Sequence, residues 1–230
     1  MLTILDQTDA WVVIQKPSGA AVHRSALARE GPFLERLLGD QLGRKVYPVH
    51  RLDRATSGAL LFALSSESAR SLQESLTSPE ADKRYLALVR GHWTLGDDWQ
   101  RIDRQLIDDH EVVRDASTLL RCVATSREPR CALIEARPLT GRIHQVRRHL
   151  RGLDHPVLGD SKLGDTKANR LFREQHGLPR LALHCLSLDL PLAGGGRLTV
   201  RAPVPEDLIA MWSALPWWPE VARWLEASTS

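Results

Sequence analysis

The 230-residue sequence predicts an α+β fold built on a mixed, mostly antiparallel sheet. Strand-like and helix-like segments are mixed along the chain without the strict β-α-β alternation of parallel sheets. Two strand-like segments also flank the glycines at 194–196, as the arms of a hairpin do. With 43% hydrophobic residues and no repeat or long linker, we expect a single domain spanning residues 1–230.

Five strands and two helices are predicted in the first half of the chain. Apolar runs bounded by turn residues predict the strands, and leucines at helical spacing after Pro32 predict the first helix. Ser66 is expected to cap the second helix. The predicted strands are residues 2–5, 11–15, 46–49, 59–64 and 83–90.

The second half begins with residues 99–115, which are polar and acidic and are predicted to form a loop or an edge excursion. Strand patterns and helical spacing predict further strands and helices to the end of the chain. The predicted elements are strands at 119–125 and 132–136, helices at 142–153 and 165–176, a hairpin of 181–190 with 197–202, and a helical tail at 205–225.

The positive charge is concentrated in one segment. The whole chain has a net charge of +3, whereas residues 121–180 alone carry 13 Lys and Arg against 6 Asp and Glu, a net charge of +7. Most of these basic residues are arginines, whose planar fork of donors suits phosphate. The segment therefore indicates either a polyanionic partner or a solvated surface with a basic bias.

Several classes of protein are disfavoured by the sequence. No apolar run is long enough to span a membrane, and the N-terminus lacks a secretory signal, so we expect a cytoplasmic protein without a membrane partner. Three widely spaced cysteines favour a reducing compartment. His144 and His149 are five residues apart and do not share a helix face, so no metal site is predicted. Nucleotide-binding glycine loops are not found either, so no cofactor is expected.

Residues 50–58 form a polar segment, His-Arg-Leu-Asp-Arg-Ala-Thr-Ser-Gly, between two apolar strands. Each of these residue types is common in ordinary turns, and an aspartate before Thr-Ser-Gly is a usual turn residue. An aspartate between two arginines is also a carboxylate that cations keep ionised and oriented, as a nucleophile requires. Asp53 is therefore both a candidate nucleophile and a candidate turn residue.

A second polar cluster, Thr-Gly-Arg-Ile-His-Gln-Val-Arg-Arg-His-Leu-Arg, occupies residues 140–151. Its apolar residues have helical spacing and are expected to face inward. Arg142, Gln145 and His149 are expected to face a groove. A surface helix with a basic face explains the same pattern.

Four motifs, in this order, resemble the RluA-type pseudouridine synthases. The resemblance covers nearly the whole chain and implies the catalytic fold of that family, with a central cleft and no cofactor or metal. Because the chain starts almost at the first strand of that fold, we expect no separate RNA-binding module. The motifs are Lys-Pro-Ser-Gly at 16–19 with Val22 and His23, His-Arg-Leu-Asp at 50–53 with Thr-Ser-Gly at 56–58, Lys-Arg-Tyr at 83–85, and Thr-Gly-Arg-x-His-Gln-Val-Arg at 140–147.

The family isomerises uridine in RNA to pseudouridine: the N1–C1′ bond breaks, the uracil turns, and C5 bonds to C1′. The resemblance implies that Asp53 is the nucleophile, that Tyr85 stacks on the flipped base, and that Arg147 is the ion-pair partner of Asp53. Arg51 would enter the RNA stack where the base leaves. The residues expected to bind RNA or assist base flipping are Arg51, His50, Arg54, Arg142, His144 and Gln145.

The segments 16–25 and 159–170 look most like a branch of the family that modifies uridine 65 of tRNA. Ribosomal RNA is the second candidate substrate, and a non-catalytic RNA-binding protein on the same scaffold is the alternative. Attack on C6 of uracil, attack on C1′, and deprotonation at C2′ are all open as catalytic routes. We expect the protein to act as a monomer.

Overall fold

A computed structural model of the chain describes residues 1–23, 32–108 and 110–227. Arg24 and Ser25, which end the first segment of the resemblance, and Asp109 of the predicted polar loop lie outside the described residues. Within the described residues the chain forms twelve strands and six helices. In chain order they are β1 (Ile4–Gln7), β2 (Trp11–Lys16), α1 (Leu34–Leu42), β3 (Tyr47–Pro48), β4 (Ser57–Ala63), α2 (Ser66–Thr77), β5 (Asp82–Arg90), β6 (Gln100–Asp103), β7 (Leu106–Ile107), β8 (Val113–Arg114), β9 (Ser117–Arg127), β10 (Arg130–Pro138), α3 (Gln145–Gly152), α4 (Thr166–His176), β11 (Leu183–Pro191), β12 (Arg197–Arg201), α5 (Glu206–Trp212) and α6 (Trp218–Ala227).

The chain divides into two units. Unit 1 comprises Met1–Lys83 and Cys185–Pro203, and unit 2 comprises Arg84–His184 and Val204–Ser230. The chain therefore passes between the units within β5, within β11 and after Pro203. Strands and helices are mixed in each unit, which confirms the predicted α+β fold with a mostly antiparallel sheet.

Unit 1 is organised around β4. Its strands follow the order β1-β2-β4-β11, with β3 also paired to β4 and β12 to β11. All seven residues of β4 are buried, which explains the unbroken apolar run in the sequence. Gly58, in β4, has φ +122°, and a Cβ there would collide with the backbone of Cys185 in β11. Only glycine allows this close approach.

Helix α2 packs against β3 and β4 in unit 1. Its N-terminal cap is Ser65 rather than the predicted Ser66, because the Ser65 hydroxyl accepts a 3.0 Å hydrogen bond from the Ser68 N–H. Leu72 and Leu76 are buried, as their helical spacing predicts.

Unit 2 contains the strand order β5-β10-β9-β6, and each of these pairings is antiparallel. Of the two alternatives predicted for residues 99–115, the loop is wrong and the edge excursion agrees with the structure: β6 pairs with β9 as the last strand of the sheet order, and β7 pairs with β8 as a small hairpin. Backbone pairing at a sheet edge tolerates polar side chains, so the composition of this segment did not indicate strands.

Two helix boundaries in unit 2 differ from the prediction. Helix α3 begins at Gln145, because His144 has the left-handed φ of +53° and a right-handed helix cannot extend through it. The helical tail is divided into α5 and α6, with Pro216 in the interval. Proline has no backbone N–H to donate within a helix.

The helices are short. The longest, α2, has 12 residues, whereas crossing a bilayer takes about 20. Within the described ranges, no helix is long and apolar enough to cross a membrane.

Candidate active site

The candidate nucleophile, Asp53, lies in unit 1 in the turn between β3 and β4. It is half-buried, and its backbone carbonyl accepts a 3.0 Å hydrogen bond from the Thr56 N–H. Arg51 and Arg54, on either side of it, are exposed. The segment therefore supplies the turn geometry that its residue types predict.

Lys16 forms hydrogen bonds with the backbone of this turn, a role that was not assigned to it from the sequence. Its side chain is completely buried, and its Nζ donates hydrogen bonds to the carbonyl oxygens of Pro17 at 2.9 Å, Arg54 at 3.0 Å and Thr56 at 2.8 Å. Two of these carbonyls belong to the turn that carries Asp53. Sequence reasoning had one signal for this role, a lysine at the end of an apolar strand in a motif of the resemblance.

Ser18 and Gly19 add further contacts to the same turn. The Ser18 hydroxyl donates to the carbonyl of Ala55 at 2.7 Å, and the Gly19 N–H donates to the carbonyl of Arg54 at 2.8 Å. In return, Arg54 Nε donates to the Gly19 carbonyl at 2.8 Å. The Lys-Pro-Ser-Gly motif thus fixes the backbone that carries Asp53.

His50 is tied to the sheet rather than presented as a cation. Its Nε2 accepts a 3.1 Å hydrogen bond from the Leu61 N–H of β4. Loss of hydration by burial and, secondarily, the positive charge of Lys83 lower the pKa of His50 to about 3. The side chain is therefore neutral at physiological pH and cannot attract phosphate by charge.

Tyr85 lies in unit 2 on β5, directly opposite Ala136 of β10, and is half-buried. Its neighbours along the strand, Leu86 and Ala87, are fully buried. Side chains alternate between the faces of a strand, so Tyr85 lies on the sheet face opposite to Leu86.

Arg147 is buried in the first turn of α3, with 6% of its surface exposed. Its Nε and Nη2 donate to the two carboxylate oxygens of Asp160, at 2.7 and 2.8 Å. Its Nη1 lies 3.0 Å from Nδ1 of His144. A guanidinium has no acceptor, so Nδ1 of His144 is the acceptor in this contact.

Asp160 is an ionised partner for this arginine. Burial by itself would raise the pKa of Asp160, but the hydrogen bonds and charge of Arg147, with the backbone N–H groups of Leu163 and Lys162, outweigh it and lower the pKa. The sequence patterns did not single out Asp160, although it lies in a segment of the resemblance.

Gln145 is buried, and its amide makes four hydrogen bonds inside unit 2. Its Oε1 accepts from the Thr140 hydroxyl at 2.7 Å and the Arg142 N–H at 3.0 Å. Its Nε2 donates to the Ser117 carbonyl and the Thr118 hydroxyl, both at 2.9 Å. The expectation that Gln145 faces a groove is therefore wrong, and we expect any contribution of Gln145 to RNA binding to pass through the loop that it holds.

The arginine and histidine residues of the same segment differ in exposure. Arg142 is exposed, and its Nε donates to the Asp115 carbonyl at 3.0 Å. His144 is half-buried beside Arg147. The expectation that His149 faces a groove is wrong: it is fully buried, and its Nδ1 lies 2.9 Å from the Thr118 hydroxyl.

The predicted site residues form two groups, one in each unit. His50, Arg51, Asp53 and Arg54 share the turn of unit 1. In unit 2, Arg142, His144, Gln145 and Arg147 lie at or just before the start of α3, and Tyr85 lies apart from them in the chain, on β5. The ion pair of Asp53 with Arg147, which the resemblance implies, stays a prediction. Among the described residues, no three His, Cys, Asp or Glu side chains cluster as ligands of a metal ion.

Known proteins resemble this chain over most of its length. The sequence profile of the family described as RNA pseudouridylate synthase matches residues 10–151. The tRNA pseudouridine synthase C of Vibrio vulnificus is 41% identical over 82% of this chain and 84% of its own length. The protein of the same name from Salmonella typhi is 38% identical over 94% of this chain and 91% of its own. Human RNA Pseudouridylate Synthase Domain Containing 4 matches 92% of each chain with a TM-score of 0.71 and 27% identity.

Proposed function

Because this chain belongs to the RNA pseudouridylate synthase family, it is a pseudouridine synthase, and we propose that it modifies tRNA, with uridine 65 as its target. The observation that carries the proposal is that the family match, residues 10–151, includes both the turn that bears Asp53 and the helix that bears Arg147. The names of the bacterial relatives support tRNA as the substrate. The choice of uridine 65 rests on the motif resemblance alone.

The proposed reaction is an isomerisation in which no atom is gained or lost. The N1–C1′ bond breaks, the uracil turns, C5 bonds to C1′, and the hydrogen that leaves C5 is balanced by the one that N1 gains. We assign the role of nucleophile or base to the Asp53 carboxylate. Attack on C6, attack on C1′ and deprotonation at C2′ each need this carboxylate held beside one nucleoside. The contacts of Lys16 and Ser18 with its turn support such positioning.

We assign Tyr85 and Arg147 to the same uridine as Asp53. Tyr85 would stack on the flipped base, and Arg147 would neutralise and orient the Asp53 carboxylate. The half-burial of Tyr85 leaves part of its side chain exposed for such a contact. The buried guanidinium of Arg147, with a partner at each of its three nitrogens, has one fixed orientation, as an electrostatic role requires.

RNA binding is assigned to the exposed arginines. A base must leave its helix before it can be turned, at a free-energy penalty of a few kcal/mol. Arg51 is exposed beside Asp53 and would fill the vacated stack. Arg54 and Arg142 would contact phosphates, and His144 would contact the nucleotide near Arg147. We propose that the chain is a single catalytic domain and that it acts as a monomer.

The substrate is tested by incubating purified protein with unmodified transcripts of tRNA and of ribosomal RNA and then detecting pseudouridine at single-nucleotide resolution. A tRNA transcript with uridine 65 replaced by cytidine is the matched control. We expect pseudouridine at position 65 of tRNA and none in the control transcript.

Each other outcome would change the proposal in a different way. Modification of tRNA at another uridine would overturn the target while sparing the substrate class. Modification confined to ribosomal RNA would overturn the tRNA assignment and leave the chemistry intact. RNA binding without any pseudouridine would favour a non-catalytic RNA-binding protein.

A further inference from the structure

The Asp160 carboxylate binds two of the three nitrogens of the Arg147 guanidinium, Nε and Nη2. Both side chains are buried, and the Nε–Oδ2 and Nη2–Oδ1 distances are 2.7 and 2.8 Å. Paired, nearly parallel hydrogen bonds between arginine and carboxylate fix the plane of the guanidinium as well as its position. Asp160 therefore determines where the third nitrogen, Nη1, can lie.

Asp160 is itself held from several directions. Its Oδ1 accepts hydrogen bonds from the N–H groups of Lys162 at 3.0 Å and Leu163 at 2.9 Å. Its backbone carbonyl accepts from Gly164 N–H at 3.1 Å and from the Asn169 amide at 2.9 Å. These hydrogen bonds fix the position of the Asp160 carboxylate independently of Arg147.

Asn169, on α4, connects the two sides of this segment. Its Nδ2 donates to the Asp160 carbonyl, and its Oδ1 accepts a 2.7 Å hydrogen bond from the Gly159 N–H. Gly159 has φ +78°, and a Cβ there would collide with the backbone carbonyl of Arg180. A Cβ on Gly164 would collide with the carbonyl of Asp160. The segment 159–164 is therefore built for one backbone path.

We propose that Asp160 is the positioning residue of Arg147 and that Asn169 supports Asp160 in this role. The inference rests on the proposed function of Arg147 in the reaction. Asp160 is 3% exposed and acts through the arginine, without touching RNA. Its negative charge also compensates the positive charge of Arg147 in the interior of unit 2.

The test is Asp160→Asn, assayed for kcat and KM on the RNA that the wild-type protein modifies. An amide has the shape of the carboxylate, but its NH2 cannot accept from the guanidinium. We expect kcat to fall about 10- to 100-fold, as is typical when a buried supporting partner is lost, with KM changed less than about threefold. Asp165→Asn is the matched control, since Asp165 caps α4 and pairs with Arg90, at 2.6 Å, and asparagine also caps helices. The control is expected to keep the wild-type kcat.

A double-mutant cycle separates positioning from general structural damage. If Asp160 acts through Arg147, Asp160→Asn has no further effect on kcat in an Arg147→Lys background. A fully additive loss, or a kcat within threefold of wild type in folded Asp160→Asn, would overturn the inference. If Asp160→Asn fails to fold, Asn169→Ala replaces it in the test, because alanine is compatible with helix α4. Asn169→Ala is expected to lower kcat less than Asp160→Asn and to have no further effect on kcat in the Arg147→Lys background.

A readout without turnover keeps this inference distinct from the proposed function. In 15N NMR spectra, the Arg147 Nε–H is expected to give a signal protected from exchange in the wild type and in Asp165→Asn, and to lose that protection in Asp160→Asn. Unchanged protection would overturn the positioning role even if the enzyme is active. If Asp160→Asn loses the protection but the wild-type protein makes no pseudouridine, the proposed function is overturned and the positioning of Arg147 by Asp160 is retained.

Discussion

The buried ammonium of Lys16 lies 3.0 Å from the carbonyl oxygen of Arg54, the residue that follows Asp53. The same ammonium reaches the carbonyl of Thr56, so one cation spans the turn that carries the proposed nucleophile. Carbonyl oxygens at a buried turn need donors, and a lysine supplies three of them from a single atom. The geometry of the candidate active site thus depends on a residue 37 positions earlier in the chain.

Lys16→Met is expected to lower both stability and turnover, because the methionine fills the space of the lysine stem but removes the ammonium that donates to the carbonyls of Pro17 and Thr56 and leaves the Arg54 carbonyl with the Gly19 N–H. A buried acceptor left unsatisfied lowers stability by about 1–3 kcal/mol. Urea denaturation and single-turnover rates measure the two effects. Lys45→Met, at an exposed lysine of unit 1, is the control. Wild-type stability and rate in Lys16→Met would show that the turn keeps its conformation without the hydrogen bonds of Lys16.

Asp53→Asn is expected to abolish pseudouridine formation while leaving the fold and RNA affinity nearly unchanged, since the amide has the shape of the carboxylate but is a poor nucleophile and base. Rates are measured with enzyme in excess, and affinity by filter binding. Residual turnover within about tenfold of wild type, a barrier difference of only ~1.4 kcal/mol, would remove Asp53 from the chemistry.

Arg147→Lys is expected to restore little of the activity lost in Arg147→Ala, because an ammonium cannot make the paired contacts of a guanidinium with Asp160. Alanine removes the guanidinium partner of the buried Asp160 carboxylate and lysine replaces it imperfectly, so both variants are also expected to unfold at lower urea concentration. The measurements are kcat and the midpoint of unfolding. A lysine variant with a near-normal kcat would mean that only the positive charge matters.

RNA affinity is expected to fall steeply with salt, because the net charge of +7 in residues 121–180 favours binding through phosphates. Arg142→Gln is expected to reduce the slope of log affinity against log salt by about one, the contribution of one phosphate contact. Arg36→Gln, at an exposed arginine of α1, is the control. Equal slopes for wild type and Arg142→Gln would exclude a phosphate contact of Arg142.

The neutral state of His50 makes stability depend on pH. Its pKa is about 3 in the folded protein, below the ordinary value of 6.5, so the unfolded chain binds the proton more tightly. Stability from this group is present above pH 6.5 and is lost as pH falls toward 3, by up to about 1.4 kcal/mol per pH unit. His50→Gln keeps an acceptor for Leu61 and does not titrate, so its free energy of unfolding is expected to fall less between pH 6.5 and 4. Equal slopes in urea titrations would contradict this assignment, and His110→Gln, at an exposed histidine, is the control.

Local periodicity was sufficient to predict most of the fold. The apolar run of β4 and the leucine spacing of α2 indicated their elements directly, because burial determined those residues. Strand β6 was missed because three of its four residues have polar side chains and it is held by backbone pairing with β9. The start of α3 was misplaced because a positive φ at His144 leaves no signature in a sequence.

The residues of the candidate site were predicted from motifs, but the motifs did not reveal the hydrogen bonds that hold those residues in position. Lys16 bonds to residues 38 and 40 positions away, and Arg147 bonds to a carboxylate 13 positions away, so neither contact produces a local pattern. His50 was expected to bind RNA because it belongs to the His-Arg-Leu-Asp motif of the resemblance, whereas burial and a backbone partner keep it neutral. Such assignments depend on tertiary contacts that no single window of sequence contains.

The complete burial of β4 has a consequence for how the turn before it can open. Backbone amides in a strand with no solvent-facing residue exchange with deuterium only when the surrounding sheet comes apart. The turn at residues 53–56 leads directly into that strand, and Lys16 fastens it to the neighbouring β2. Local opening of the backbone near Asp53 is therefore expected on the side of the turn that leads back to β3. On the side that leads into β4, opening requires the hydrogen bonds between the central strands of unit 1 to break.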